Sequence, residues 1–240
     1  MNKTKYISLF FIILVSTLFY QFVYKDNTDK NFVTYIVNPK IENICFYLKN
    51  NKQENFGSIL NLKTYLNKKN KQLLFAMNGG MYKKDKSPQG LYIQNKILLT
   101  QIDTTSAGGN FYLKPNGVFY ISTNNVANVC KTDDFKNLNI KYATQSGPML
   151  VVDGEIHKAF NKNSTNLNIR NGVGILPNNE IVFVMSKKEI NFYDFAEFFK
   201  NKGCKNALYL DGLVSRTYCP KENWEQIDGD FGVIIGVTKK

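Results

Sequence analysis

The chain has 240 residues, 43% hydrophobic and 21% charged, with a formal net charge of +12. That length suits one large domain or two small ones and buries a core without help from disulfides. The composition excludes a disordered chain. The charge is carried mostly by lysine in an asparagine-rich sequence and favours an anionic substrate or surface. No nucleic-acid partner is expected, because no element interleaves a basic patch with aromatics.

Residues 1–25 read as a signal peptide or a membrane anchor. Lys3 and Lys5 precede a charge-free run over residues 7–23 that is rich in Ile, Leu and Phe. A positive start, a long apolar run and a polar exit are the pattern of export. The run is near the roughly 18-residue minimum for spanning a bilayer. Phe19, Tyr20, Gln21, Phe22 and Val23 are too bulky for a clear cleavage site, which favours an uncleaved anchor over a cleaved signal. The expected location is therefore outside the cytoplasm: membrane-anchored through residues 7–23, or periplasmic or secreted if the segment is cleaved. Residues 26–31 read as a short linker, and 32–240 as one domain. Outside the cytoplasm Cys45, Cys130, Cys204 and Cys219 could pair. A Cys204–Cys219 bridge and buried free thiols are both compatible with the spacing.

In the domain, Phe32 to Val37 and Ile44 to Leu48 read as strands. Ser58 to Asn70 carries apolar residues at helical spacing, with Ser58 as N-cap. Gln72 to Met77 is an apolar strand ending in Asn78, Gly79 and Gly80. Two glycines there imply unusual dihedrals, a close approach or an anion nest, with a plain hairpin turn as the alternative. Leu91–Ile93 with Lys96–Leu99 reads as one hairpin, and Asn110–Leu113 with Val118–Ser122 as another. Gln145, Ser146, Gly147 and Pro148 lead into a strand over Met149 to Val152, and Asp153-Gly154 turns it back through Glu155 and Ile156. His157, the sole histidine, is a candidate acid or base, and its polar setting implies exposure. Arg170 enters a strand over Gly172 to Leu176, where a guanidinium could hold a phosphate or carboxylate bidentately. A strand over Ile181 to Ser186 follows. Then comes a helix over Ile190 to Lys202, capped by Asn191 and stopped by Gly203. Ala207 to Leu210 is a buried strand that delivers Asp211 and Gly212 at its end, with Ser215 and Arg216 in the same turn region. Phe231 to Val237 closes the chain. The fold class is α+β: a single β-rich domain of short mixed or antiparallel strands with a few helices.

Taken together, Asn78-Gly79-Gly80-Met81-Tyr82, Ser146-Gly147-Pro148-Met149-Leu150 with Asp153-Gly154, Arg170 to Ile175, and Leu210-Asp211-Gly212 with Ser215 resemble the phosphodiester glycosidase family, the uncovering-enzyme group. The resemblance covers roughly Asn70 to the carboxyl end. The family's usual Leu-Asp-Gly-Gly-Gly-Ser departs here at Leu213 and Val214, and Arg216 follows Ser215; this suggests a bacterial side branch. The resemblance implies hydrolysis of a sugar-1-phosphodiester at the anomeric carbon, in cell-envelope or extracellular glycan metabolism. A phosphate monoester leaves as a stable anion, so one carboxylate and one phosphate-binding cation would suffice where ordinary glycosidases need two carboxyl groups. Asp211 and Arg170 are the expected catalytic pair. Asn78, Gly79, Gly80, Ser146, Gly147, Ser215 and Arg216 are the expected substrate contacts. Asn78 with Asp211 could instead hold a hard cation such as calcium, a thin ligand set. A module that binds phosphorylated or anionic glycans without turning them over is the alternative function.

Overall fold

The computed structural model describes residues 30–212 and 214–239. The expected export segment, residues 7–23, lies outside the described residues. Among the described residues no helix is long and apolar enough to cross a membrane.

Three sheets, with every paired strand antiparallel to its neighbour, make up the domain. The first runs β1 (Phe32–Val37), β12 (Ile181–Ser186), β11 (Asn171–Ile175), β13 (Ala207–Tyr209), β9 (Met149–Val152) and β10 (Glu155–Ile156). The second runs β15 (Trp224–Glu225), β14 (Thr217–Cys219), β3 (Leu73–Asn78), β16 (Ile234–Thr238) and β2 (Asn43–Tyr47). The third runs β5 (Ile97–Thr100), β4 (Tyr92–Gln94), β8 (Ile140–Ser146), β6 (Gly117–Ser122) and β7 (Ala127–Lys131). Alternation along the strands turns one face of each sheet inward, as a period of two requires. Phe183 and Leu208 from the first sheet, Phe46, Phe75 and Ile235 from the second, and Phe119 and Tyr142 from the third meet in one central core. Phe75 stacks on Phe183 at 5.2 Å between centroids, and Phe46 on Tyr142 at 5.2 Å, so aromatic rings tie the sheets together.

Two helices cover outer faces. Helix α1 (Ile59–Asn67) packs Ile59, Leu62 and Leu66 on the second sheet, and the Ser58 hydroxyl caps it by accepting from the Asn61 amide at 3.2 Å. Helix α2 (Phe192–Asn201) packs Phe195, Ala196 and Phe199 on the first sheet; Asn191 caps it, and Gly203 follows at φ +82°. Both caps were legible from sequence.

One expected hairpin and one alternative reading of a turn are not what the structure shows. Asn110–Leu113 does not pair with the strand after it. It forms a 3-10 turn at Asn110–Tyr112, because β6 is already paired on both edges, by β7 and β8. Asn78-Gly79-Gly80 is no hairpin either, since β3 is flanked in its sheet by β14 and β16, and the chain crosses to the third sheet.

Candidate functional site

Four strand ends meet where the first and second sheets abut. β3 ends at Asn78, β11 begins at Asn171, β13 runs out into Leu210 and Asp211, and β14 begins after Arg216. Asn171 joins them. Its Nδ2 donates to Asn78 Oδ1 at 2.8 Å and to the Asn78 carbonyl at 3.2 Å, and its Oδ1 accepts from the Asp211 amide at 2.8 Å. Asn78 Oδ1 also accepts from the Arg216 amide at 2.9 Å. The Ser215 hydroxyl donates to the Asp211 carbonyl at 2.7 Å, and the Ser146 hydroxyl to the Leu210 carbonyl at 2.7 Å. The segments singled out in the sequence thus form one hydrogen-bonded net, although they lie far apart along the chain. Asn171 itself escaped sequence reading; the only signal was an amide residue placed directly before a glycine-rich strand.

The net sorts its members by access. Asn78, Gly79, Gly80, Ser146, Gly147 and Ser215 are buried, whereas Asp211 and Arg216 are half-buried. The polar groups of the buried set serve the protein. The Gly79 amide donates to the Val233 carbonyl at 2.8 Å, and both serine hydroxyls go to backbone carbonyls of the Asp211 strand end. Gly147 is a packing position: a Cβ there would stand 2.6 Å from the Phe111 carbonyl and 2.7 Å from Asn116 Cβ. Gly212 is another, because the Tyr209 hydroxyl occupies the space its Cβ would need. Asn78 Nδ2 is the exception, a buried donor with no acceptor among the described residues.

Arg170 is 1% exposed. Its Nε donates to the Ile190 carbonyl and its Nη2 to the Asn166 carbonyl, each at 2.8 Å, and the guanidinium lies 3.6 Å from the Phe192 ring centre. Its expected place facing a substrate is not where the structure puts it: it is walled in against Phe192 and Tyr209 and lashes the 166–170 loop to the entry of α2. Burial holds its pKa below the usual range, opposed by the electrostatic influence of Tyr209. Tyr209 in turn sits between charges. Burial raises its pKa; Asp211 raises it further and Arg170 lowers it. On the other side, burial and then Asp211 and Asp230 raise that of Tyr82. The Asp211 carboxylate is thus felt electrostatically by both tyrosines.

Arg216 is an accessible cation at the edge of the net. Its Nε reaches both Asp228 carboxylate oxygens at 2.8 Å, and Nη1 donates to the Ser215 carbonyl at 3.0 Å. Beside it, Lys86 pairs with Asp230 at 2.6 Å, and the Tyr82 hydroxyl donates to the Asp230 carbonyl at 2.8 Å.

His157 lies apart from this site. Its exposure, expected from the polar setting, is overturned: it is 5% exposed and stacked on Phe160. Nδ1 accepts from the Ala159 amide at 3.1 Å, which leaves Nε2 to donate to the Lys114 carbonyl at 3.1 Å. Burial lowers its pKa below 6.5. The unfolded chain therefore takes up this proton first as pH falls, and stability is lost as pH drops below about 6.5. A Tm series from pH 7.5 to 5 will show this slope, and His157→Gln, which keeps a donor, will flatten it.

The four cysteines are free thiols. Cys204 packs under α2 and Cys219 in the central core, so the two lie in different clusters. A calcium site built on Asn78 does not fit. Its Oδ1 already accepts two protein hydrogen bonds, and the described residues contain no group of three or more His, Cys, Asp or Glu that could hold a metal ion.

The family model for phosphodiester glycosidases matches residues 71–233, which contain every residue of this net. The uncharacterized protein YigE of Escherichia coli is 39% identical over 186 residues, 77% of this chain and 72% of that protein. Among solved structures, the catalytic domain of zebrafish N-acetylglucosamine-1-phosphodiester alpha-N-acetylglucosaminidase, auto-inhibited by its pro-peptide, superposes with a TM-score of 0.59 at 14% identity. The match covers 88% of this chain and 83% of that one. A putative exported protein of Burkholderia pseudomallei follows at a TM-score of 0.53 and 10% identity, over 86% and 73% of the two chains. At such identities the structural likeness concerns the fold alone, whereas the family match spans more than half of the sequence. The chain belongs to the phosphodiester glycosidase family.

Proposed function

We propose that this protein hydrolyses a sugar-1-phosphodiester at the anomeric carbon, exported and held by residues 7–23 at the envelope, where phosphorylated glycans are its substrates. The observation that carries the reading is a half-buried carboxylate at the meeting of four strand ends, Asp211, with the backbone on both its sides fixed by the Asn171 and Ser215 side chains. Asp211 takes a proton from water as the water oxygen bonds to C1. The C1–O bond breaks, and the phosphate monoester leaves with the electron pair. That leaving group is already a stabilised anion, so no second carboxyl group has to protonate it.

In this reading Arg216, rather than Arg170, receives the phosphate. It stands at the rim on a surface ion pair with Asp228, and such pairs are worth about 1 kcal/mol or less. A phosphodiester can displace Asp228 at little cost and accept from the Arg216 guanidinium in its place. Arg170 keeps Tyr209 and the loop in place from behind. Asn78 is fully buried beneath the Asp211 backbone and acts here through its Oδ1, not on the substrate.

The test is sugar release by the full-length chain from a panel of sugar-1-phosphodiesters. Arg216→Ala is expected to raise KM about 10-fold or more while changing kcat less, and salt is expected to weaken binding to the native chain. Saturable glycan binding with no release from any member of the panel would instead establish the non-catalytic alternative.

A further inference from the structure

We propose that Asn171 is a positioning residue for the reaction: its side-chain amide fixes the backbone of Asp211 and so sets where the carboxylate stands. The inference rests on the hydrolase reading above, in which Asp211 acts at C1.

The backbone ladder ends one residue short of the residue that matters. β13 pairs with β11 up to Gly172 opposite Tyr209, and Leu210 adds a last bond from its amide to the Asn171 carbonyl at 3.1 Å. Asp211 lies beyond that rung and is followed at once by Gly212, which would leave the chain loose. The Asn171 side chain takes the place of the missing rung, with Oδ1 on the Asp211 amide at 2.8 Å. Its Nδ2 is anchored in turn on Asn78, at the end of a strand of the other sheet. Asn171 is 0% exposed, and so is Asn78, so water does not compete for these bonds. Only an amide offers a donor and an acceptor at this reach; aspartate lacks the donors and leucine lacks both. With Ser215 on the Asp211 carbonyl, the peptides on both sides of the Asp211 Cα are held by buried side chains. A displacement of the order of 1 Å at a reacting group lowers rate by about 100-fold.

Two variants of the full-length chain test this. Asn171→Ala removes the amide, and Asn171→Thr keeps a strand-forming side chain whose hydroxyl is one bond shorter, which guards against a variant that fails to fold. Both are expected to speed hydrogen exchange of the Asp211 amide about 100-fold, read by NMR, while amides within β11 and β13 stay protected. Both are expected to lower kcat by about 30-fold to 100-fold with KM within about threefold of native. Ile140→Ala, in a cluster of the third sheet that contains no residue of the net, serves as a control that lowers Tm without changing Asp211 exchange or kcat. Unchanged exchange at Asp211 in both variants overturns the proposal, whatever the activity. Faster exchange with native kcat overturns the positioning role as well. If the native chain releases no sugar, the hydrolase reading falls on that result alone, while the exchange data separately decide whether Asn171 holds Asp211.

Discussion

Replacing Asp211 with asparagine is expected to lower kcat by about 10³-fold and to leave KM within about threefold of native. The asparagine side chain has nearly the same shape, and Asp211 contributes to the buried net through its backbone amide and carbonyl, which the substitution leaves in place. What disappears is the ability to accept a proton from water or to act at C1. Because the change is nearly isosteric at a half-buried position, melting temperature is expected to move by no more than about 3 °C. A discontinuous assay of released sugar, paired with a thermal melt, separates the two quantities. Undiminished turnover in Asp211→Asn would remove this carboxylate from the chemistry and the hydrolytic mechanism with it.

Arg170→Met is expected to have the largest effect on stability, about 3 kcal/mol or more, or roughly 6–12 °C in Tm for a domain of this size. The guanidinium satisfies two backbone carbonyls, those of Asn166 and Ile190, and stacks on Phe192 at 3.6 Å. Methionine fills the volume but leaves both part-buried carbonyls without this donor, and an unmet acceptor costs up to about 1–3 kcal/mol. Lysine recovers only part of the loss, because a point charge cannot reproduce the planar fork. The kinetic outcome distinguishes the two arginines. At a temperature where Arg170→Met is folded, its KM for a sugar-1-phosphodiester should stay near native, whereas Arg216→Ala should not. A KM increase in Arg170→Met equal to that in Arg216→Ala would return the phosphate to Arg170.

Local signals in the chain carried a good part of the fold. Ser58 and Asn191 announce the two helices because a capping side chain acts within three residues of itself. Asp153-Gly154 between apolar runs gives the β9–β10 hairpin because a two-residue turn admits few conformations. The strand over Phe32–Val37 stands where the alternation placed it. β7 and β8 were not legible. β7 reads Ala-Asn-Val-Cys-Lys, a weak pattern, and becomes a strand because β6 offers it an edge.

The site was legible in its parts and not in their roles. Asn78, Ser146, Arg170, Asp211 and Ser215 stand out in the sequence because glycines and apolar strands flank them. Residue type and flanks say nothing about which of them meet solvent. The Ser146 and Ser215 hydroxyls look like substrate contacts in the sequence, and in the fold they donate to the carbonyls of Leu210 and Asp211. Arg170 looks like an anion clamp, and it is buried behind Tyr209.

The sequence by itself determined the β-rich class, the helix caps, the tight turns and the set of segments that matter, since each depends on interactions between near neighbours in the chain. Only the tertiary structure decided that Asp211 and Arg216 stay accessible while the others become scaffold, that His157 is interior, and that Asn171 bridges two sheets. Burial and long-range hydrogen bonding depend on which strand edges meet across the core. Asn171 and Asn78, 93 positions apart, become partners only when the sheets close on one another.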